Sequence, residues 1–108
     1  MGRYITSTAS YATTNVVTAV SYQAKTNDRV LCTSGGITIT LPISSDAVSG
    51  DTVQIIDVGG NASSSNITVA RNGAEIQNVA ENLTIDINNS ATVLVYTGAT
   101  YGWVITGT

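Results

Sequence analysis

Few side chains in this sequence could carry out chemistry: seven carboxylates, one cysteine and no histidine among 108 residues. Without histidine, neither a Ser-His-Asp nor a Cys-His arrangement can form, and His-containing metal sites are excluded. Cys32 alone can build neither a zinc site nor an intramolecular disulfide. Two facing carboxylates could hydrolyse a glycan, but Asp46, Asp51 and Asp57 lie at predicted turns or strand ends, where Asp commonly supports local structure. We therefore predict a non-enzymatic protein with no metal and no cofactor, and a small glycan-active enzyme is a distant alternative.

Three aromatic residues near the end of the chain could instead form a binding site. Tyr96, Tyr101 and Trp103 fall on the last predicted hairpin, and aromatic rings on a β-sheet can stack on sugar rings. In a chain without phenylalanine, Trp103 can equally fill the hydrophobic core. Both interpretations are open from the sequence, and the core is the favoured one.

The first fifteen residues, 1–15, differ from the rest of the chain. They are rich in Ser, Thr and Ala and show neither a helical nor a clean strand period, with Tyr4, Ile5 and Tyr11 as isolated apolar residues. We interpret this segment as an extended arm that becomes ordered against another surface. Its three apolar side chains are the candidate contacts with a partner surface.

Residues 16–108 have the composition of a β-domain. Thr, Val and Ile account for 40 of the 108 residues, while leucine occurs four times and phenylalanine never. β-Branched residues favour strands over helices. Short alternating runs separated by Gly, Asn and Ser predict about eight strands, at 16–22, 29–33, 37–41, 51–58, 67–69, 83–87, 92–96 and 101–105. We expect an antiparallel β-sandwich or small jelly-roll-like barrel, closed by a hairpin across 97–100.

Three similar tripeptides recur along the chain. They are Ile-Thr-Ile at 37–39, Ile-Thr-Val at 67–69 and Leu-Thr-Ile at 83–85, and the first interval between them is much longer than the second. Because these intervals differ, the sequence argues against a solenoid. The run 92–96 carries apolar residues on both faces, which predicts burial on both sides or a contact between subunits.

Charge and hydropathy exclude several partners. The four basic residues are scattered and the net charge is −3, so the sequence predicts no basic patch that could bind nucleic acid. No apolar run reaches the roughly 18 residues of a membrane helix, and the first residues lack the apolar core of a signal peptide. With 10% charged residues, the chain has little electrostatic protection against association, so we expect either that Thr, Ser and Asn cover its surface or that much of the surface is buried in partners.

Several segments, in this order and spacing, resemble a β-rich module of bacteriophage virion proteins, including those of cyanophages. They are DRVL at 28–31, TSGGITITLP at 33–42, GDTVQIID at 50–57, GGNAS at 59–63, NITV at 66–69 and TVLVY at 92–96, followed by Trp103. Such modules occur in tail fibres and in small structural proteins of tailed phages. The resemblance implies a β-rich, non-enzymatic and usually trimeric protein located in the virion and assembled in the host cytoplasm.

The organisation of the chain favours one member of that group. An arm followed directly by the module, without a shaft, suits a small capsid decoration (cement) protein better than a tail fibre. We expect a homotrimer that binds the major capsid protein or another virion protein and stabilises the lattice. The alternative is a tail-fibre or receptor-binding module that attaches to host glycans through Tyr96, Tyr101 or Trp103.

Overall fold

The computed structural model describes residues 13–107, which form nine β-strands and one turn of 3-10 helix. The strands are β1 (Thr14–Thr18), β2 (Tyr22–Gln23), β3 (Asp28–Cys32), β4 (Thr38–Thr40), β5 (Thr52–Asp57), β6 (Ile67–Ala70), β7 (Leu83–Ile85), β8 (Ala91–Tyr96) and β9 (Trp103–Gly107), with the helical turn at Ser44–Asp46. The all-β prediction is confirmed, and the eight predicted runs match the strands once the first run is divided into β1 and β2. Within this range, no helix has the length and apolarity needed to cross a membrane.

The predicted arm falls almost entirely on residues that the structure does not describe. Tyr4, Ile5 and Tyr11 lie outside the described residues, so their predicted contacts stay predictions. The last two residues of the predicted arm, Thr14 and Asn15, belong to β1.

Two sheets make up the fold. Sheet A contains five strands in the order β1-β3-β5-β8-β9, and sheet B contains four in the order β2-β4-β6-β7. The first six strands therefore alternate between the sheets along the chain, and the last three form antiparallel pairs within their own sheets. The predicted hairpin between β8 and β9 is confirmed.

The prediction of a purely antiparallel fold is wrong. Strands β1, β3 and β5 pair in parallel in sheet A, and β2, β4 and β6 pair in parallel in sheet B. Parallel neighbours need a crossover connection. Here the crossover from one strand to its parallel neighbour contains a strand of the opposite sheet, so residues 14–70 wind as an irregular coil.

Unequal turn lengths hide this winding in the sequence. Val16 lies beside Val30, and Val30 lies beside Ile55, so the second step along the chain is much longer than the first. The three similar tripeptides are nevertheless direct neighbours, because their central residues Thr38, Thr68 and Thr84 share one register across sheet B. The argument against a solenoid rested on a fixed period, which a coil with variable loops does not need.

One hydrophobic core joins the two sheets. Along β3, β5, β6 and β8, alternate residues are buried, as the two-residue period of a strand requires. The inward positions of both sheets contribute to a single cluster, whose completely buried members include Val30, Val53, Ile55, Leu94 and Trp103 from sheet A and Ile39, Ile67 and Val69 from sheet B. The other face of each sheet is left to water or to a partner.

Candidate interaction surface

The outer face of sheet B is polar. It carries Thr38, Thr68 and Thr84 in one register row and Gln23, Thr40 and Ala70 in the next, and we call these six residues the threonine face. Their strand neighbours Ile39, Ile67 and Val69 are completely buried, so the six side chains point away from the core. This alternation of apolar and polar residues is typical of a sheet with one face in water.

The outer face of sheet A carries six aliphatic side chains among polar ones. Val17, Leu31 and Ile56 form one row across β1, β3 and β5, while Val95 lies beside Val104 on β9, and Val93 is two residues earlier on the same side of β8. We call these six residues the valine face. Val17 is 67% exposed and the other five are partly exposed. No described segment of the chain covers them, because β1 to β9 account for both sheets and the core lies on the opposite side.

A row of three polar residues, Asn15, Arg29 and Gln54, interrupts the valine face, and Thr52 lies on the same side beside Val95. The Arg29 guanidinium donates hydrogen bonds to Gln54 Oε1 at 2.6 Å and to Asn15 Oδ1 at 3.4 Å. These three residues occupy one register row. None of the outward-facing residues of the five strands is acidic, so the charge of Arg29 is solvated by neutral amides of its own face.

The sequence identified only part of this surface. Apolar residues on both sides of β8 predicted a second contact for Val93 and Val95, whereas Leu31, Ile56 and Val104 were not singled out. The signal was present in Val30-Leu31-Cys32, Ile55-Ile56 and Val104-Ile105, because consecutive apolar residues in a strand leave one of them facing outward. The partners of these strands had to be known before the separate pairs could be joined into one face.

The buried carboxylates stabilise the loops. Asp28, Asp51 and Asp57 are all buried. Asp28 Oδ2 accepts from the Lys25 backbone N–H at 2.8 Å, and Asp51 Oδ2 accepts from the Val48 N–H at 2.9 Å. Each of these two carboxylates therefore closes a turn in its own loop, which is the role that Asp ordinarily plays there.

Asp57 has the most extensive set of donors. Its Oδ2 accepts from the N–H groups of Ala62 at 3.0 Å and Asn89 at 3.1 Å, and its Oδ1 from Asn61 at 3.3 Å. Burial raises the pKa of the Asp57 carboxyl, but backbone N–H donors outweigh burial, and the net pKa lies below the ordinary 3.8. The ionised carboxylate thus joins the loop after β5 to the loop before β8.

A hydrogen bond also links Tyr22 to Asp28 at the opposite end of the strands. The Tyr22 hydroxyl donates to Asp28 Oδ2 at 2.7 Å. This hydrogen bond, followed by burial and by the negative charge of Asp28, raises the pKa of Tyr22 to about 12. The phenol must stay protonated to keep the contact.

Alkaline pH should therefore destabilise the fold through Tyr22. Because the folded state holds the proton more tightly, this contribution is complete below pH 10, the ordinary pKa, and is lost as the pH rises from 10 to about 12. We expect Tyr22→Phe to remove the part of the alkaline loss of stability that Tyr22 causes. Urea unfolding midpoints between pH 8 and 12 measure this loss. Tyr101→Phe is the matched control and should retain the wild-type alkaline loss. An identical alkaline loss in Tyr22→Phe and wild type would contradict the assignment.

Cys32 is completely buried among core residues. Burial, with the charge of Asp57 nearby, raises the pKa of its thiol to about 11. The thiol is therefore protonated near neutral pH and packs as a small apolar side chain, as the sequence indicated.

The three aromatic candidates do not share one surface. Tyr96 and Trp103 are 4% and 0% exposed, and their ring centroids lie 5.2 Å apart at 59°. Tyr101 is 59% exposed. Only Tyr101 of the three presents its ring to solvent, whereas the other two rings pack on each other in the core.

The depressions on the surface offer little chemistry. One of them, of about 610 Å³, is bordered by Lys25, Pro42, Asp46 and Asn72 and contains one carboxylate. No group of three or more His, Cys, Asp or Glu residues that could hold a metal ion occurs in the part of the chain that the structure describes. A smaller cavity of about 130 Å³ between β7 and β9 is lined mainly by aliphatic residues and Thr side chains.

The chain was also compared with known proteins. No protein-family model matches the chain, and no curated protein matches it. Function therefore has to be argued from the residues and their placement.

Proposed function

We propose that this chain is a non-enzymatic structural protein of a bacteriophage virion, specifically a capsid decoration protein that binds the capsid lattice as a homotrimer and stabilises it. The observation that carries the proposal is the valine face, an apolar sheet surface that a single copy leaves uncovered. Large exposed apolar surfaces are typical of proteins that function in assemblies. The sequence resemblance to phage virion modules supplies the kind of assembly.

The architecture suits a mechanical role. In this proposal the two sheets are the halves of a β-sandwich, each with one face in the common core. A small core of valine and isoleucine gives limited stability by itself. Burying a further apolar face between copies adds stability when the copies assemble, because anything that binds the native state alone stabilises it. A trimer stabilised in this way and attached to several capsid subunits would oppose the outward pressure of packaged DNA.

Attachment to the lattice is assigned to the arm. Tyr4, Ile5 and Tyr11 are apolar residues in a polar segment, which is the pattern of isolated anchors on a partner surface. The arm would extend from the start of β1 across neighbouring capsid subunits. This division of roles leaves the valine face free for contacts between copies.

Replacing the three anchors tests the attachment. The variant Tyr4→Ser, Ile5→Ser, Tyr11→Ser should lose capsid binding by a factor of at least about 100, because each removed anchor costs about 1–2 kcal/mol. Binding is measured by co-sedimentation with capsids that lack the protein. The matched control is Ser7→Ala, Thr8→Ala, Ser10→Ala in the same segment, which should bind like wild type. Undiminished binding by the first variant would remove the arm from the proposal.

Copy number per particle separates the two candidate functions. Quantitative mass spectrometry of purified virions should find this chain in numbers comparable to the major capsid protein. A few copies per particle would favour the alternative, a tail-fibre or glycan-binding module, for which the exposed ring of Tyr101 is the available contact. Complete absence from virions would contradict both.

A further inference from the structure

We infer that the valine face of each copy packs against the valine faces of its sister copies around a threefold axis, while the threonine face points to solvent. The inference rests on the proposed homotrimer and names the surface that forms it. It assigns the partner of the valine face as further copies of the same chain, and leaves the capsid lattice to the arm.

The threonine face is an internal comparison for the valine face. Threonine and valine are both β-branched, have nearly the same shape and both favour strands. Strand propensity therefore does not explain why the outer face of sheet B carries threonine at three aligned positions while that of sheet A carries valine on β8 and β9. The hydroxyl group is the difference, and it is favourable in water and costly in a dry contact. The distribution indicates that sheet B faces water and sheet A faces protein.

The charge on the valine face suits a contact between identical copies. A face that meets copies of itself must not bring strong like charges together. Arg29 is the single charged residue among the outward-facing positions of the five strands, and its guanidinium is hydrogen-bonded to Gln54 and Asn15 of the same copy. These hydrogen bonds leave Arg29 without need of a carboxylate from a partner, so sister copies can meet through the valine, leucine and isoleucine side chains.

The size of the face limits what can cover it. Five strands about 4.8 Å apart and about five residues long cover roughly 400 Å², and a stable interface removes about 800 Å² of accessible surface from each partner. Projecting side chains make the accessible area of the face larger than its flat area. Even so, the area of a stable interface is approached only if the whole face is covered. A narrow helix or a single extended segment would leave most of the valine face exposed to water. A covering surface must therefore be broad and sheet-like.

The same chain supplies such a surface. Three identical sheets turned toward one axis, each inclined by about 60° to the next, have matching twists and can close into a prism. Its interior would be lined mainly by the aliphatic side chains of the valine face, interrupted by the polar row of each copy. Closed symmetry is the usual arrangement of soluble oligomers and leaves no valine face exposed.

One lysine on each face tests the assignment. Val95 lies in β8 between Thr52 and Val104, and Thr68 lies in β6 between Thr38 and Thr84. Both side chains are partly exposed in the single copy, so each lysine can reach water without entering the core. In full-length protein, Val95→Lys should raise the concentration for half-dissociation of the trimer by at least about 100-fold, whereas Thr68→Lys should change it by less than about threefold.

The measurement is molar mass by light scattering after size exclusion, over a concentration series. Wild type and Thr68→Lys should have about three times the 11.1 kDa mass of the chain, and Val95→Lys that of one chain. Val95→Thr keeps the shape and strand propensity of valine, and it should weaken the trimer by about tenfold. Far-ultraviolet circular dichroism has to be the same for all four proteins, which keeps a loss of fold apart from a loss of contact.

Three results would overturn the inference. They are a wild-type protein that stays monomeric at all concentrations, a dimer in place of a trimer, and a trimer that persists in folded Val95→Lys. Failure of the proposed function gives a different result: the chain would be missing from virions, or would not bind capsids, while Val95→Lys still dissociated the trimer. A monomer whose capsid binding is lost in Val95→Lys would assign the face to the lattice and contradict the inference.

Discussion

Replacing Trp103 with alanine is expected to lower the free energy of unfolding by about 3–5 kcal/mol. Trp103 begins β9, is completely buried, and packs its ring against Tyr96 at 5.2 Å. Alanine would leave a cavity at the edge of sheet A, where the hairpin, the core and the loop at Glu75 meet. The backbone N–H of Trp103 donates to the backbone oxygen of Glu75 at 2.8 Å, which brings this loop to the site. Urea unfolding followed by circular dichroism measures the loss.

Two further variants show whether packing causes this effect. Trp103 Nε1 makes no hydrogen bond among the described residues, so Trp103→Phe removes volume and no polar contact, and it should cost clearly less than the alanine variant. Tyr101→Ala, at an exposed ring two residues earlier, should change stability by less than about 0.5 kcal/mol. A loss in Trp103→Ala no larger than in Tyr101→Ala would contradict the burial of this side chain.

The positions of the strands were largely predictable from the sequence. Period-two runs such as 37–41 and 92–96 alternate because one side of each strand is in the core, and this local signal does not depend on which strands are neighbours. Gly, Asn and Pro marked the turns for the same local reason. The hairpin between β8 and β9 was predictable because its strands are adjacent in the chain.

Strand pairing was not predictable in the same way. Whether β3 lies beside β2 or β5 depends on long-range contacts that a run of Val and Ile does not specify. The aligned row Thr38, Thr68 and Thr84 shows that the repeat was visible as three similar tripeptides. Loops of different length between them removed the fixed period by which a winding chain is usually recognised. A search for similar strands at unequal intervals would have grouped β4, β6 and β7 as neighbours, without showing which of them run parallel.

The candidate surface shows the same limit. Residue types indicated a protein that associates, because charged residues are few, and they indicated that β8 has two apolar faces. The valine face combines residues from β1, β3, β5, β8 and β9, which are neighbours only after sheet A has formed. Likewise, the sequence grouped Tyr96, Tyr101 and Trp103 and favoured the core for Trp103, but only the structure showed that Tyr96 packs on Trp103 while Tyr101 is exposed.

Replacing Asp57 with asparagine is expected to lower the free energy of unfolding by about 2–3 kcal/mol at pH 7, because charge-assisted hydrogen bonds to a buried carboxylate are worth more than neutral ones. The carboxylate accepts hydrogen bonds from the backbone N–H groups of Ala62, in the loop after β5, and Asn89, in the loop before β8. In asparagine one oxygen becomes an amide nitrogen, which turns a donor toward those N–H groups. The loop after β5 and the loop before β8 would lose their common anchor, while the two sheets would remain.

The pH dependence identifies the charge as the cause. The pKa of Asp57 is lowered on folding, so its contribution is present above the unfolded value near 3.8 and is lost as the pH falls from there through the folded pKa. The difference in unfolding free energy between wild type and Asp57→Asn, measured in urea from pH 7 to pH 2, should therefore be constant above about pH 5 and shrink below pH 4. Asp86→Asn, at an exposed position after β7, is the matched control and should cost less than about 0.5 kcal/mol across the range. If the Asp57→Asn difference stayed the same down to pH 2, the hydrogen bonds would be independent of ionisation and the loops would be anchored by the shape of the side chain alone.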